Sequence, residues 1–293
     1  MLKKLLFGSS VFLSLFMVFY VVSSHTERMP LVQDDPYSHL VYGAAPIEQR
    51  DIGVRKWLVA GVKINVRGAS GSGTIVYYDE RNNTAFIQSC GHLWNGSMNA
   101  EQCSKKKISC TINVWYHNQE KLPSPKSYPA DVIYYNNGEG QDCSLLKFTP
   151  DWSPDYFPIA PKDFQFTPNM RLHSVGCDGG SEVAHYDVRV VGLRTFNGQQ
   201  DLVTTENSPR PGRSGGGLMN DDFYVAICWG TSDYQGVKNG FFTPLETVRA
   251  FNEKNGYGWL NEVGNSLARQ IPIIDRNNPQ GKYPKDYVPL PSR

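Results

Sequence analysis

Ser214 stands in the stretch Pro211-Gly212-Arg213-Ser214-Gly215-Gly216-Gly217-Leu218. A serine that attacks a carbonyl must project from a tight turn, and backbone N–H groups must converge on the oxyanion that develops. Glycine lets the chain bend that way without a Cβ clash. Such a serine also needs a base within hydrogen-bond reach and a group that orients the base. Of the six histidines, His25 and His39 lie in the N-terminal segment, and His117 follows a strand into a loop. His173 and His185 fall inside alternating strand patterns and read as structural. His92 differs, because it follows the apolar run 84–88 through Ser89-Cys90-Gly91. A base at the end of a buried strand is held rigidly yet faces a cleft. The orienting acid should be held by strand packing, and Asp142 opens the apolar run 143–148 after a turn-rich stretch. Asp131, also at a strand start, is its competitor. The chemistry these residues could do together is acyl transfer through a serine nucleophile.

The elements that must position them are short and β-rich. Runs of Val, Ile, Tyr, Phe and Thr bounded by Gly, Asn, Asp and Pro occur at 57–66, 73–78, 84–88, 108–116, 130–135, 144–148, 171–175, 182–193, 202–205, 224–229 and 240–243. Short strands without long intervening helices indicate an all-β sandwich or a pair of barrels. One helix is expected late: it starts at Pro244, carries Leu245, Val248 and Phe251 on one face, and ends at Gly256. Residues 264–293 contain five prolines and read as an extended tail. No internal repeat is visible.

The chain has 293 residues, a net charge of +1, 40% hydrophobic residues and 12% aromatics, enough for a sizeable core. The charge and the lack of a long basic run give no reason to expect a nucleic-acid partner. Met1-Leu2-Lys3-Lys4 precedes 18 uncharged residues, 5–22, which read as a signal peptide or, by a narrow margin, a membrane anchor. The N-terminal lysines keep that end in the cytoplasm and send the remainder across, so an extracytoplasmic location is expected. Residues 25–56 read as a spacer, 57–263 as the folded domain with a break near 150–170. Membrane contact is expected through the N-terminal segment only. In an oxidising compartment the six cysteines, Cys90, Cys103, Cys110, Cys143, Cys177 and Cys228, allow three disulfides, with a local Cys103–Cys110 bridge as one option. A zinc site built from Cys90, His92, Cys103 and Cys110 lacks any Cys-x-x-Cys pair, so neither metal nor other cofactor is expected. Asn82-Asn83-Thr84 and Asn95-Gly96-Ser97 match the weak glycosylation pattern.

The order His92, Asp142, Ser214 and the segments around these residues resemble the chymotrypsin/trypsin-like serine peptidases, in particular bacterial trypsin-like domains with Gly-x-Ser-Gly-Gly. Gly71-Ser72-Gly73-Thr74-Ile75 resembles the strand before the histidine, and the runs 86–92 and 142–147 resemble the histidine and aspartate segments. Ser174-Val175-Gly176-Cys177-Asp178-Gly179-Gly180 resembles a loop of the second barrel. Cys228-Trp229-Gly230 and Gly240-Phe241-Phe242-Thr243 resemble the walls of the primary specificity pocket. The resemblance implies two six-stranded antiparallel Greek-key barrels and a short C-terminal helix. It implies a peptide or protein substrate, attack by Ser214 Oγ, His92 as base and Asp142 as its orienting partner. It also implies an oxyanion hole from the N–H groups of Gly212 and Ser214, and a pocket lined by Ser208, Cys228, Trp229, Gly230 and Gly240.

The chain departs from that pattern at three positions. Arg213 replaces the aspartate that zymogen-activated members use to bind a new N-terminus, so activation by that route is not expected. Cys228 takes a position where a serine often supports the aspartate, and a thiol is a weak donor. A Cys90–Cys228 or Cys143–Cys228 contact is possible from the sequence. Ser208 stands where digestive members place the pocket-floor carboxylate, so a neutral pocket is expected. The competing reading is a catalytically inactive binding module of the same fold, and a third is a structural secreted β-domain with no site.

Overall fold

The computed structural model describes residues 56–66, 68–94, 108–117, 120–137, 141–196, 199–234 and 237–268. Twelve strands close into two antiparallel barrels. The first contains β1 (Gly61–Val66), β2 (Ala69–Asp79), β3 (Thr84–Ser89), β4 (Ile108–His117), β5 (Glu120–Asn136) and β6 (Cys143–Phe148), in the spatial order β1-β2-β3-β6-β5-β4. The second contains β7 (Arg171–Cys177), β8 (Val183–Phe196), β9 (Gln199–Glu206), β10 (Gly217–Met219), β11 (Tyr224–Tyr234) and β12 (Val237–Pro244), in the order β7-β8-β9-β12-β11-β10. The two orders are the same path. The architecture is therefore duplicated although the sequence carries no repeat.

Alternation builds each interior. In β1, Val62 and Ile64 are fully buried while Lys63 and Asn65 turn outward, as a period of two requires. In β6, Leu145 and Leu146 are both buried, so this strand is covered on both faces. Each such side chain contributes about 1.5–3 kcal/mol relative to exposure. The linker between barrels touches both: Phe157 N donates to Ile75 O (3.0 Å), and Ala160 N donates to Tyr224 O (2.9 Å).

The residue pattern marked eleven strands and the family resemblance implied twelve; twelve are present among the described residues. The extra one, β10, has three residues, Gly-Leu-Met, with little β propensity; its pairing with β7 and β11 creates it. Strand β5 begins at Glu120, ten residues before its expected start, despite Pro123, Pro125 and Pro129, because it runs as a hairpin arm along β4. Residues 56–58 are helical rather than the start of a strand.

The expected helix is α1 (Leu245–Lys254), which buries Leu245, Val248 and Phe251. A second helix, α2 (Leu260–Ala268), was not expected and runs into the stretch read as an extended tail. Residues 269–293 lie outside the described residues. The helices brace the first barrel through a buried polar chain. Gln88 Nε2 donates to Asn252 Oδ1 (2.7 Å), Asn252 Nδ2 to Asn261 Oδ1 (3.3 Å), and Arg249 Nη1 to Ala160 O (2.8 Å). Gln88 lies in β3, four residues before His92, so α1 steadies the strand that leads to it. No helix among the described residues is long and apolar enough to cross a membrane; residues 5–22 and 25–56 fall almost entirely outside those described.

Candidate active site

His92 opens a short 3-10 turn, His92–Trp94, directly after β3, and buried Trp94 pins that turn. Asp142 immediately precedes β6. Strands β3 and β6 are paired with Ser89 opposite Ser144, so both side chains emerge at the same end of one ladder. His92 Nδ1 and Asp142 Oδ2 lie 2.7 Å apart. Asp142 Oδ1 accepts the backbone N–H groups of Gly91 and His92, each at 2.7 Å. The Nδ1 contact fits the tautomer in which His92 Nδ1–H donates to Asp142 Oδ2. Asp131 is excluded as the partner: it sits in β5 opposite Ser109 and Lys147.

Ser214 comes from the second barrel, in the loop between β9 and β10. Ser72 of β2 knits that loop to the first barrel. Ser72 N donates to Ser214 O (2.7 Å), Ser72 Oγ donates to Gly212 O (2.8 Å), and Cys177 N donates to Ser72 Oγ (2.7 Å). Ser72 was quoted within a strand motif but given no role; Ser and Gly alternation carries no signal for a cross-barrel hub. Two glycines in the loop are geometrically required. Gly212 has φ +91°, and a Cβ there would meet Cys177 O at 2.6 Å. Gly215 has φ +88°, and its Cβ would meet Ser72 O and Ser89 Oγ at 2.1 Å. Gly215 seats the loop against the end of β3 that leads to His92, and Gly212 seats it against the turn that follows β7.

Within this loop Arg213 N, Gly215 N and Gly216 N are spent on Arg210 O, Cys228 O and Arg213 O. Among the described residues, the N–H groups of Gly212 and Ser214 donate to no protein group. These are the two groups expected to hold an oxyanion. No hydrogen bond joins Ser214 Oγ to His92 among the described residues; His92 Nε2 instead faces Cys90 Sγ at 3.7 Å. A thiol is a weak donor and is readily displaced, and catalytic hydrogen bonds often tighten only with substrate bound.

Cys228 braces the nucleophile loop through its backbone: its O accepts Gly215 N (2.7 Å) and its N donates to Gly216 O (2.8 Å). Support for Asp142 comes from the Gly91 and His92 amides, so a thiol at 228 costs the aspartate little. Ser208 Oγ and Thr231 Oγ1 hydrogen-bond, and Thr231 Oγ1 also donates to Asn239 O (3.0 Å). Trp229 packs on Phe241 at 5.5 Å and donates its indole N–H to Asp201 Oδ1 (3.0 Å). Nothing lies within 4 Å of a Cβ built on Gly230, whereas Gly240 is closed in by Pro209, Thr204 and Phe242.

Arg213 is the residue whose environment the sequence did not disclose. Its side chain is 0% exposed and forms a two-pronged ion pair with Asp178, Nε to Oδ1 at 2.8 Å and Nη2 to Oδ2 at 3.2 Å. Nη1 donates to Ser174 O (3.0 Å) and Ala184 O (3.3 Å), and the guanidinium lies 4.0 Å over the Tyr186 ring. Asp178 also accepts the Tyr186 hydroxyl. A buried cation requires such pairing. Asp178 appeared in the sequence only inside a loop motif, and no local signal links it to a residue 35 positions away.

The expectation of disulfides is not met among the described residues: Cys90, Cys110, Cys143, Cys177 and Cys228 are free and buried, and Cys103 lies outside the described residues. Burial pushes the Cys177 and Cys228 thiols from 9.0 up to about 12. Burial, and then the charge of Asp142, push Cys90 and Cys143 up as well. The folded values lie above the unfolded ones, so the unfolded chain loses thiol protons first. The resulting stability is complete below about pH 9 and is lost as pH rises toward about 12. Thermal midpoints are expected to hold steady up to about pH 9 and fall above it. Iodoacetamide is expected to leave Cys90, Cys177 and Cys228 unmodified in the folded protein and to alkylate them in guanidinium, read by peptide mass spectrometry. Rapid alkylation without denaturant would contradict this placement.

The family model described as the trypsin-like peptidase domain matches residues 71–226. No curated protein matches the chain. Among solved structures, the serine endoprotease from Yersinia pestis is 17% identical over 70% of this chain and 65% of that one, with a TM-score of 0.52. An inactive mutant form of Rv3671c from M. tuberculosis H37Rv is 16% identical over 72% of this chain and 94% of that one, with a TM-score of 0.51. At these identities the likeness is one of fold.

Proposed function

Because the chain belongs to the trypsin-like peptidase domain family, we propose that it is a serine endopeptidase that works through His92, Asp142 and Ser214. The observation that carries this reading is the locked His92–Asp142 pair, 2.7 Å apart and set across a barrel junction from a loop whose Gly212 and Ser214 N–H groups are unspent. Ser214 Oγ attacks the peptide carbonyl while His92 Nε2 takes its proton. The oxyanion is held by the two amides, which in related chemistry contribute about 2.7–4 kcal/mol per donor. His92 then passes the proton to the leaving amine, and water hydrolyses the acyl-enzyme by the same steps.

The side-chain pocket is neutral. Its floor is the Ser208–Thr231 hydroxyl pair and its wall is the open face of Gly230, so uncharged residues are accepted before the scissile bond. Arg213 is fully engaged with Asp178, so the loop needs no incoming N-terminus and the enzyme is active without N-terminal trimming. Export rests on residues 1–24 alone, because the free thiols carry no argument for an oxidising compartment. N-terminal sequencing of the mature protein tests it, and recovery of the untrimmed chain in the cytosol would refute it.

The inactive-module reading draws on one observation, the Cys90 thiol rather than Ser214 facing His92 Nε2. A fluorophosphonate probe and an uncharged-to-basic peptide library, applied to the full chain and to Ser214→Ala, separate the two readings. The peptidase labels on Ser214 and cleaves after uncharged residues, and Ser214→Ala does neither. Absence of labelling in folded protein would favour the binding module, and dominant cleavage after Arg or Lys would refute the neutral pocket.

A further inference from the structure

His173, His185 and Asp187 gather three ligand atoms on one face of the β7–β8 hairpin. His173 pairs across the ladder with Asp187, and Val175 with His185. The two-residue step along β8 therefore puts His185 and Asp187 on the side that His173 occupies. The atoms close a triangle: His173 Nδ1 to His185 Nε2 is 2.9 Å, His173 Nδ1 to Asp187 Oδ1 is 3.0 Å, and His185 Nε2 to Asp187 Oδ1 is 3.4 Å. Both imidazoles are buried, and the Trp57 ring covers them, 3.7 Å from His173 and 5.3 Å from His185, nearly parallel to each.

With the Asp187 carboxylate ionised, no placement of ring protons satisfies all three edges of this triangle. A proton on His173 Nδ1 alone serves two edges but leaves the lone pairs of His185 Nε2 and Asp187 Oδ1 facing each other. A proton on His185 Nε2 alone leaves His173 Nδ1 against the carboxylate in the same way. Protons on both rings set two N–H groups head to head across the shortest edge. A cation at the centre satisfies all three edges at once. A triangle with edges of 2.9, 3.0 and 3.4 Å has a circumradius of about 1.8 Å, so an ion about 2.0–2.1 Å from each vertex sits about 1 Å off the plane. That is the shape of three corners of a tetrahedron with one open position.

The surroundings suit such an ion. Asp187 Oδ2 is held by Arg171, which leaves Oδ1 as the single free ligand oxygen and fixes its direction. Two nitrogens and one oxygen fit a borderline ion.

We propose that His173 Nδ1, His185 Nε2 and Asp187 Oδ1 bind a zinc ion, with water in the fourth position. The site shares no residue with the proposed catalytic groups and does not depend on their assignment. It ties β7 to β8 under the Trp57 ring. The sequence reading took His173 and His185 as structural and expected no metal; only the strand register brings these two histidines and Asp187 together.

The test uses the full chain carrying Ser214→Ala, stripped with chelator and dialysed against zinc sulfate. Plasma mass spectrometry is expected to find one zinc per chain and the thermal midpoint to rise. Asp187→Asn and His185→Gln are each expected to weaken zinc binding by more than the about 10–100-fold typical of outer-shell changes. His92→Ala, which disrupts the other cluster able to hold a metal, Cys90, His92 and Asp142, is expected to keep its zinc. In the parent, cobalt substitution is expected to give four-coordinate visible bands without a sulfur-to-cobalt charge-transfer band, a readout that needs no variant to fold. No zinc uptake, unchanged uptake in both Asp187→Asn and His185→Gln, loss on His92→Ala, or a cobalt–thiolate band would each overturn the proposal.

Discussion

Asp142→Asn is expected to lower kcat by about 10⁴-fold while leaving the fold and its melting temperature nearly unchanged. The expectation follows from the two roles of the carboxylate. Oδ1 is fixed as an acceptor by the Gly91 and His92 amides, both at 2.7 Å. An asparagine must therefore keep its oxygen there and turn its NH₂ toward His92 Nδ1. That ring nitrogen can then only accept, so the imidazole proton moves to Nε2, the atom that must take the proton of Ser214. The base is present but in the wrong tautomer. Fluorophosphonate labelling should slow in step with kcat, and KM should change little. An Asp142→Asn enzyme within about 10-fold of the parent would remove Asp142 from the mechanism.

Arg213→Met is expected to destabilise the protein by about 3–5 kcal/mol, because it leaves the Asp178 carboxylate, itself only 12% exposed, without its cation. For a domain of this size that is a fall of about 6–20 °C in melting temperature. Activity should fall further than folding accounts for. Arg213 lies between Gly212 and Ser214, and its ties to Asp178, Ser174 and Ala184 hold the loop that carries both oxyanion amides. Misplacing one donor costs about 10²–10³-fold in kcat. The double variant Arg213→Met/Asp178→Leu is expected to regain most of the stability, since removing both charges leaves neither one unpaired. If Arg213→Met melted with the parent, or if the double variant were no better than the single, the ion pair would not be the element that fixes this loop.

The comparison of sequence and structure divides along the range of the interactions. His92, Asp142 and Ser214 each stood out because the chemistry proposed for them leaves local marks: a polar residue at the end of an apolar run, a serine among glycines. Strands of the cores were legible for the same reason, since Val62 and Ile64 alternate with Lys63 and Asn65. Strand β10 and the proline-bearing arm of β5 were not, because pairing partners and not their own residues hold them in place. The second helix was hidden because its last residues fall in the stretch read as a proline-rich tail.

What the sequence determined by itself was the set of groups proposed here for acyl transfer and the β character of the chain that presents them. Only the tertiary structure decided what those groups meet. Barrel closure puts Ser214 from one half against Ser72 of the other; the β7–β8 register gathers His173, His185 and Asp187. The return of the chain at Asp178 gives the buried Arg213 its counter-charge. The physical reason is that side-chain alternation and turn chemistry act over a few residues and are written in the local pattern. Hydrogen bonds and ion pairs between residues tens of positions apart exist only once loop closure and core burial have brought the strands together.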